Sequence, residues 1–145
     1  NDINKSALAA LDQRCDRNGV TNIETVVGEV EDPLLPRAAL DLVFIVNAFH
    51  DLSRPVALLD KLVYSLKTGA RVVIIDRDPD KYQRSYGHFL TQEEVLEIIR
   101  ESAFELDRVE TFLPQHNIYI VRRKGSKRVR PLAPRLRGSL TPAPS

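Results

Sequence analysis

The chain has 145 residues, of which 43% are hydrophobic and 28% charged. That is the balance of an ordinary globular domain, and the length fits one domain. No apolar run approaches the roughly 18 residues needed to cross a bilayer. No charged-then-apolar leader opens the chain. Cys15, the single cysteine, has no internal partner for a disulfide and no metal spacing around it. These features exclude a membrane span and a disulfide scaffold, and a reducing, cytoplasmic setting is expected.

Charge divides the chain unevenly. Residues 1–121 carry 13 Lys and Arg against 20 Asp and Glu, a net of −7. Residues 122–145 carry 8 Lys and Arg and no acid, a net of +8. An acidic body argues against a nucleic-acid groove on the folded part.

In chain order, Asp2 precedes a helical pattern in which Leu8, Leu11 and Cys15 recur at spacings of three and four. Asn18-Gly19 supplies the helix stop. Ile23 to Val27 reads as a short β-branched strand closed by Gly28. Asp32-Pro33 and Leu35-Pro36 then break regular structure. Leu40 to Val46 is almost wholly apolar, the pattern of a strand buried on both faces of a parallel sheet. Arg54-Pro55 opens a helix with Pro55 in its first turn. Its apolar face is Val56, Leu59, Leu62, Val63 and Leu66. Gly69 ends it, and Arg71 to Asp76 forms another buried strand.

A charged and aromatic loop covers Arg77 to Leu90. Thr91-Gln92-Glu93-Glu94 is a capping box ahead of the face Val95, Ile98, Ile99 and Ser102. Glu105 to Phe112 and Asn117 to Arg123 read as two strands joined by a short turn, which favours antiparallel pairing. Residues 124–145 contain four prolines, no acid and no aromatic. Such a segment cannot bury enough surface to offset its ordering entropy. It is expected to be a basic, Pro-rich disordered tail. The alternation of strands and helices before it predicts an α/β sheet with helices on both faces.

Ligands of open α/β sheets bind at the carboxyl ends of the strands. That rule selects Asp2, the Gly28 to Asp32 turn, the Asn47 to Asp51 turn, and Asp76 to Asp78. None of these has a lysine or a glycine nest for phosphate, which disfavours a dinucleotide and a nicotinamide enzyme. A sulfonium ligand with free ribose hydroxyls and an adenine suits such an acidic rim. The three histidines, at 50, 88 and 116, are scattered along the sequence, and no metal site is expected. No nucleophilic serine elbow is present.

The stretch IETVVGEVEDPLLP, DLVFIVNAFHDL and LLDKLVYSLKTGARVVIID resembles the later half of a class I S-adenosylmethionine-dependent methyltransferase. The resemblance spans about residues 2–123 and implies a Rossmann-like sheet with a C-terminal antiparallel hairpin. It implies S-adenosyl-L-methionine as cofactor and methyl transfer to a small-molecule acceptor. The family opens with a strand and a glycine-rich loop that holds the cofactor, and this sequence contains neither. A partial methyltransferase domain over 1–123, cut at its N-terminus and weak in cofactor binding by itself, is therefore expected. The alternative is a non-catalytic methyltransferase-like remnant or interaction module.

The resemblance also assigns residues. Asp2 would contact a ribose hydroxyl, although an acid there also suits a helix N-terminus. Gly28, Glu29 and Val30 form the adenine turn, with Glu29 or Asp32 accepting from the adenine amine. Asn47 would hydrogen-bond the methionine part of the cofactor or the substrate. His50 would act as general base, or else pack at a helix entry. Tyr82, Tyr86, His88 and Phe89 would cover the acceptor. Thr68 and Ala70 stand where the family's turn has proline and a second glycine.

Overall fold

The computed structural model describes residues 1–81 and 88–126. Tyr82, Tyr86 and nearly all of the basic segment lie outside them. The helices are α1 (Lys5–Arg17), α2 (Pro55–Leu62) and α3 (Gln92–Glu101), and the strands are β1 (Leu40–Val46), β2 (Leu66–Arg77), β3 (Phe104–Glu110) and β4 (His116–Arg123). They build a four-stranded sheet in the order β1-β2-β4-β3. β1 and β2 are parallel, and β4 runs antiparallel to both β2 and β3.

Local chemistry explains the helix ends. Asn4 caps α1, its side chain accepting from the amides of Ser6 and Ala7. Pro55 occupies the first turn of α2, where its missing N–H costs nothing. At α3 the reciprocal capping box forms as expected: Glu94 N–H donates to Thr91 Oγ1 at 3.3 Å, and Thr91 N–H donates to Glu94 Oε2 at 2.7 Å. β2 begins earlier than the sequence pattern suggests. The Lys67 to Ala70 turn lies inside the strand, where the register against β1 shifts and Gly69 adopts φ +83°. That conformation belongs to glycine, so one glycine is enough to make the bend.

One hydrophobic core forms between the sheet and the α2–α3 pair. It joins Phe49, Leu59 and Leu62 to Val72 and Ile74 of β2, Val95 and Ile99 of α3, and Phe104, Tyr119 and Val121 of the hairpin. Leu59 is fully buried, so Leu59→Ala would cost about 2–5 kcal/mol.

Two expectations are corrected here. β1 is not buried on both faces: Leu42, Phe44 and Val46 are 47%, 60% and 50% exposed. These alternate residues share one face of a strand that lies at the sheet edge, while Val43 and Ile45 point into the core. Both α2 and α3 pack on that core side, so a helix-covered second face is not seen among the described residues. Ile23 to Val27 also forms no ladder. Its one pairing is a parallel bridge between Asp2 and Val27. No long strand lies beside it, and Ile23 and Val27 stay exposed.

Candidate active site

The site is built at the carboxyl ends of β1 and β2. β1 ends at Val46, and Asn47 turns the chain with φ +50°, a left-handed conformation that asparagine tolerates better than most residues. A short 3-10 turn, Phe49–Asp51, follows. Phe49 is fully buried and anchors the turn to the core.

His50, next in the turn, is held by Asp76 near the end of β2. The Asp76 side chain is 4% exposed and that of His50 8%. Asp76 Oδ1 lies 2.7 Å from His50 Nδ1, and Asp76 Oδ2 accepts from the His50 backbone N–H at 2.9 Å. Asp76 Oδ1 also accepts from Arg77 N–H at 2.8 Å. A carboxylate beside Nδ1 fixes the tautomer with the proton on that nitrogen. Asp51 Oδ2 stands 3.4 Å from Nε2. Phe89 meets the His50 ring edge-on at 4.7 Å, and His88 lies at 5.3 Å between ring centroids.

Beside this dyad runs a cleft of about 590 Å³. Asn1, Asp2, Ile3, Glu29 and Val30 line it together with Val43 to Val46, Ala48, Asp51 and Leu52. Its polar groups are mainly carboxylates and its walls are aliphatic. That donor set fits a cationic sulfonium nucleoside, with acids for hydroxyls and amines and apolar walls for the adenine.

The sequence-derived residues separate into groups. Asp2, Glu29 and Val30 line the cleft together. Asp2 Oδ1 also accepts the Asn4 amide at 2.9 Å, as a helix-entry acid would. Gly28 serves packing: a Cβ there would stand 2.9 Å from the Asn1 side chain and 3.3 Å from Pro33 Cα. Asp32 turns inward on its own loop, its Oδ1 accepting the Leu34 amide at 2.9 Å. The Asn47 carboxamide oxygen is 2.9 Å from His116 Nε2, which ties the end of β1 to the start of β4. His50 adjoins the cleft through Asp51. The role of Asp76 was missed, because its only sequence signal is an acid at the end of a buried strand. Two of the three histidines, far apart in sequence, also converge: His50, Asp51 and His88 offer ligand atoms within 4.8 Å of one another.

Further along the same rim, Asn117 donates to Asp78 Oδ2 at 2.6 Å and reaches the Tyr119 hydroxyl at 3.4 Å. Burial pushes the Tyr119 phenol above its ordinary value, against the lowering effect of the Asn117 hydrogen bond.

A family described as "Methyltransferase domain" matches residues 1–74, which include the cleft and the 3-10 turn. The chain belongs to the methyltransferase domain family. Solved structures agree in fold. A SAM-dependent methyltransferase from Aquifex aeolicus superposes with a TM-score of 0.73 at 23% identity, over 82% of this chain and 64% of that one. One from Mesorhizobium loti gives 0.64 at 18% identity, over 83% and 77%. The mitomycin 7-O-methyltransferase MmcR gives 0.63 at 16% identity, over 77% and 38%. The chain thus spans about two thirds of the Aquifex protein's length or less, and under half of MmcR. No curated protein matches the chain. The Aquifex aeolicus and Mesorhizobium loti proteins are described as S-adenosylmethionine-dependent methyltransferases. No helix among the described residues is long and apolar enough to cross a membrane.

Proposed function

We propose that this methyltransferase domain transfers a methyl group to a hydroxyl of a small molecule, with His50 as general base. The carrying observation is the His50–Asp76 pair at 2.7 Å, which holds the ring by Nδ1 and leaves Nε2 on the side of Asp51, a residue that lines the cleft. S-adenosylmethionine, when bound, supplies an electrophilic methyl group on a sulfonium. Asp2 and Glu29 bind its hydroxyl and amine groups, and Val30 and the β1 side chains flank the adenine. Asp51 and Leu52, next to His50 in the chain, line the cleft. Nε2 of His50 takes the acceptor's proton as the oxygen attacks. Asp76 keeps the ring oriented and offsets the positive charge that forms on it. Positioning supplies the rest of the acceleration. The O-methyl activity named for MmcR supports an oxygen acceptor.

The test is methyl transfer from labelled S-adenosylmethionine to a panel of phenols and alcohols. In a protein that also carries the family's first strand and glycine-rich loop, His50→Ala lowers the rate by roughly 10²–10⁴-fold and leaves cofactor affinity near that of the unaltered protein. Undiminished transfer per folded molecule would remove His50 from the chemistry.

A second reading, a methyltransferase-like interaction module, is favoured by one observation: the bare row Leu42, Phe44 and Val46 beside the cleft. Calorimetry on a protein that also carries the family's first strand and glycine-rich loop separates the two, because such a module binds no S-adenosylmethionine there either.

A further inference from the structure

We infer that His50, Asp51 and His88 form a binding site for a divalent transition-metal ion of the zinc class. Two imidazoles and one carboxylate are the donor set such ions prefer when three protein ligands leave a position for water. The geometry is close to that arrangement. His50 Nε2 and Asp51 Oδ2 are 3.4 Å apart, and a tetrahedron with zinc–ligand bonds of 2.0–2.1 Å has an edge of about 3.3 Å. All three ligand atoms lie within 4.8 Å of one another. The Asp51 side chain is 69% exposed and His88 is exposed, so small rotations of either complete the set without disturbing the core.

Two further features point to a cation. His50 Nε2 and the Asp51 carboxylate face each other at 3.4 Å, close enough to share one ion. Behind His50 stands Asp76 at 2.7 Å from Nδ1. This is the carboxylate–histidine–metal relay that fixes a ligand's tautomer and raises its basicity. Phe89 packs against both rings, 4.7 Å from His50 and 4.5 Å from His88, and orients the pair.

The ion takes the same Nε2 lone pair that the proposed base uses. Loaded protein therefore has no free base, and the metal acts as a brake on the site. The binding itself does not depend on methyl transfer, so it is measured with cofactor absent.

The experiment is calorimetric titration of the full chain with zinc chloride, together with the visible spectrum of the cobalt(II)-loaded protein. One zinc per chain is expected, with the intense d–d absorption of four-coordinate cobalt. His88→Ala and Asp51→Ala each weaken zinc at least tenfold. Both positions are exposed, and circular dichroism verifies that the variants stay folded. His116→Ala leaves the titration unchanged. No saturable binding with zinc in large excess, or binding that survives both His88→Ala and Asp51→Ala, overturns the site. Either result leaves the base role of His50 to be decided by its own rate measurement.

Discussion

Asp76 holds His50 twice, once by the ring at 2.7 Å and once by the backbone N–H at 2.9 Å. The two oxygens of one carboxylate are used for two jobs, and an amide has only one oxygen. Asp76→Asn should therefore keep one of these contacts and lose the other, along with the negative charge. Loss of a buried hydrogen bond to a charged group removes about 1.5–3 kcal/mol of stability, read by denaturant melts. The rate per folded molecule should fall by roughly 10²–10⁴-fold, as for His50→Ala. A variant that melts earlier yet turns over normally would make Asp76 a scaffold residue alone.

Asp2 has two claims on it. It lines the cleft, and its Oδ1 accepts the Asn4 amide at the entry to α1. In a protein that also carries the family's first strand and glycine-rich loop, a ribose contact means that Asp2→Ala should weaken S-adenosylmethionine by about tenfold or more, the equivalent of roughly 1.5–3 kcal/mol. A changed melting temperature with an unchanged dissociation constant would assign it to the helix.

Asn47 is tested by a pair of substitutions. Its φ of +50° is costly for a residue with a Cβ, by roughly 1–2 kcal/mol. Both Asn47→Gly and Asn47→Ala lose the 2.9 Å contact with His116, but only alanine carries the backbone strain. Alanine should be the less stable of the two in urea. Equal stability would show that the side-chain contact, not the backbone, is what asparagine supplies.

The histidine was legible from the sequence because apolar β1 ends beside it. Its partner was not, because Asp76 lies 26 residues away and only the parallel pairing of β1 with β2 brings the two together. The capping box of α3 was legible for the opposite reason: all its bonds span three residues. The open face of β1 was hidden by composition. LDLVFIV is apolar at both parities, so the pattern could not say which side the core would take. Ile23 to Val27 failed similarly. β-branched residues mark a willingness to be a strand, while a ladder also needs a neighbour.

The acid side of the stability profile should carry a mark from α3. Hydrogen bonds from the Thr91 backbone and hydroxyl hold the Glu94 carboxyl below the ordinary glutamate range. A depressed folded value means stabilisation that is complete above the unfolded value and fades as pH falls through the folded one. Melting curves of Glu94→Gln and the unaltered chain should differ at neutral pH and converge below about pH 4. Parallel curves across that range would show that the box contributes nothing through charge.

The bare face of β1 also bears on how stability responds to temperature. Unfolding raises the heat capacity in proportion to the apolar area newly wetted. Leu42, Phe44 and Val46 are already half wetted in the native fold, so they add little to that increment. That trims the usual heat-capacity step of roughly 12–15 cal/mol/K per residue by only about 1 cal/mol/K, so the open face barely alters the curvature of the stability curve.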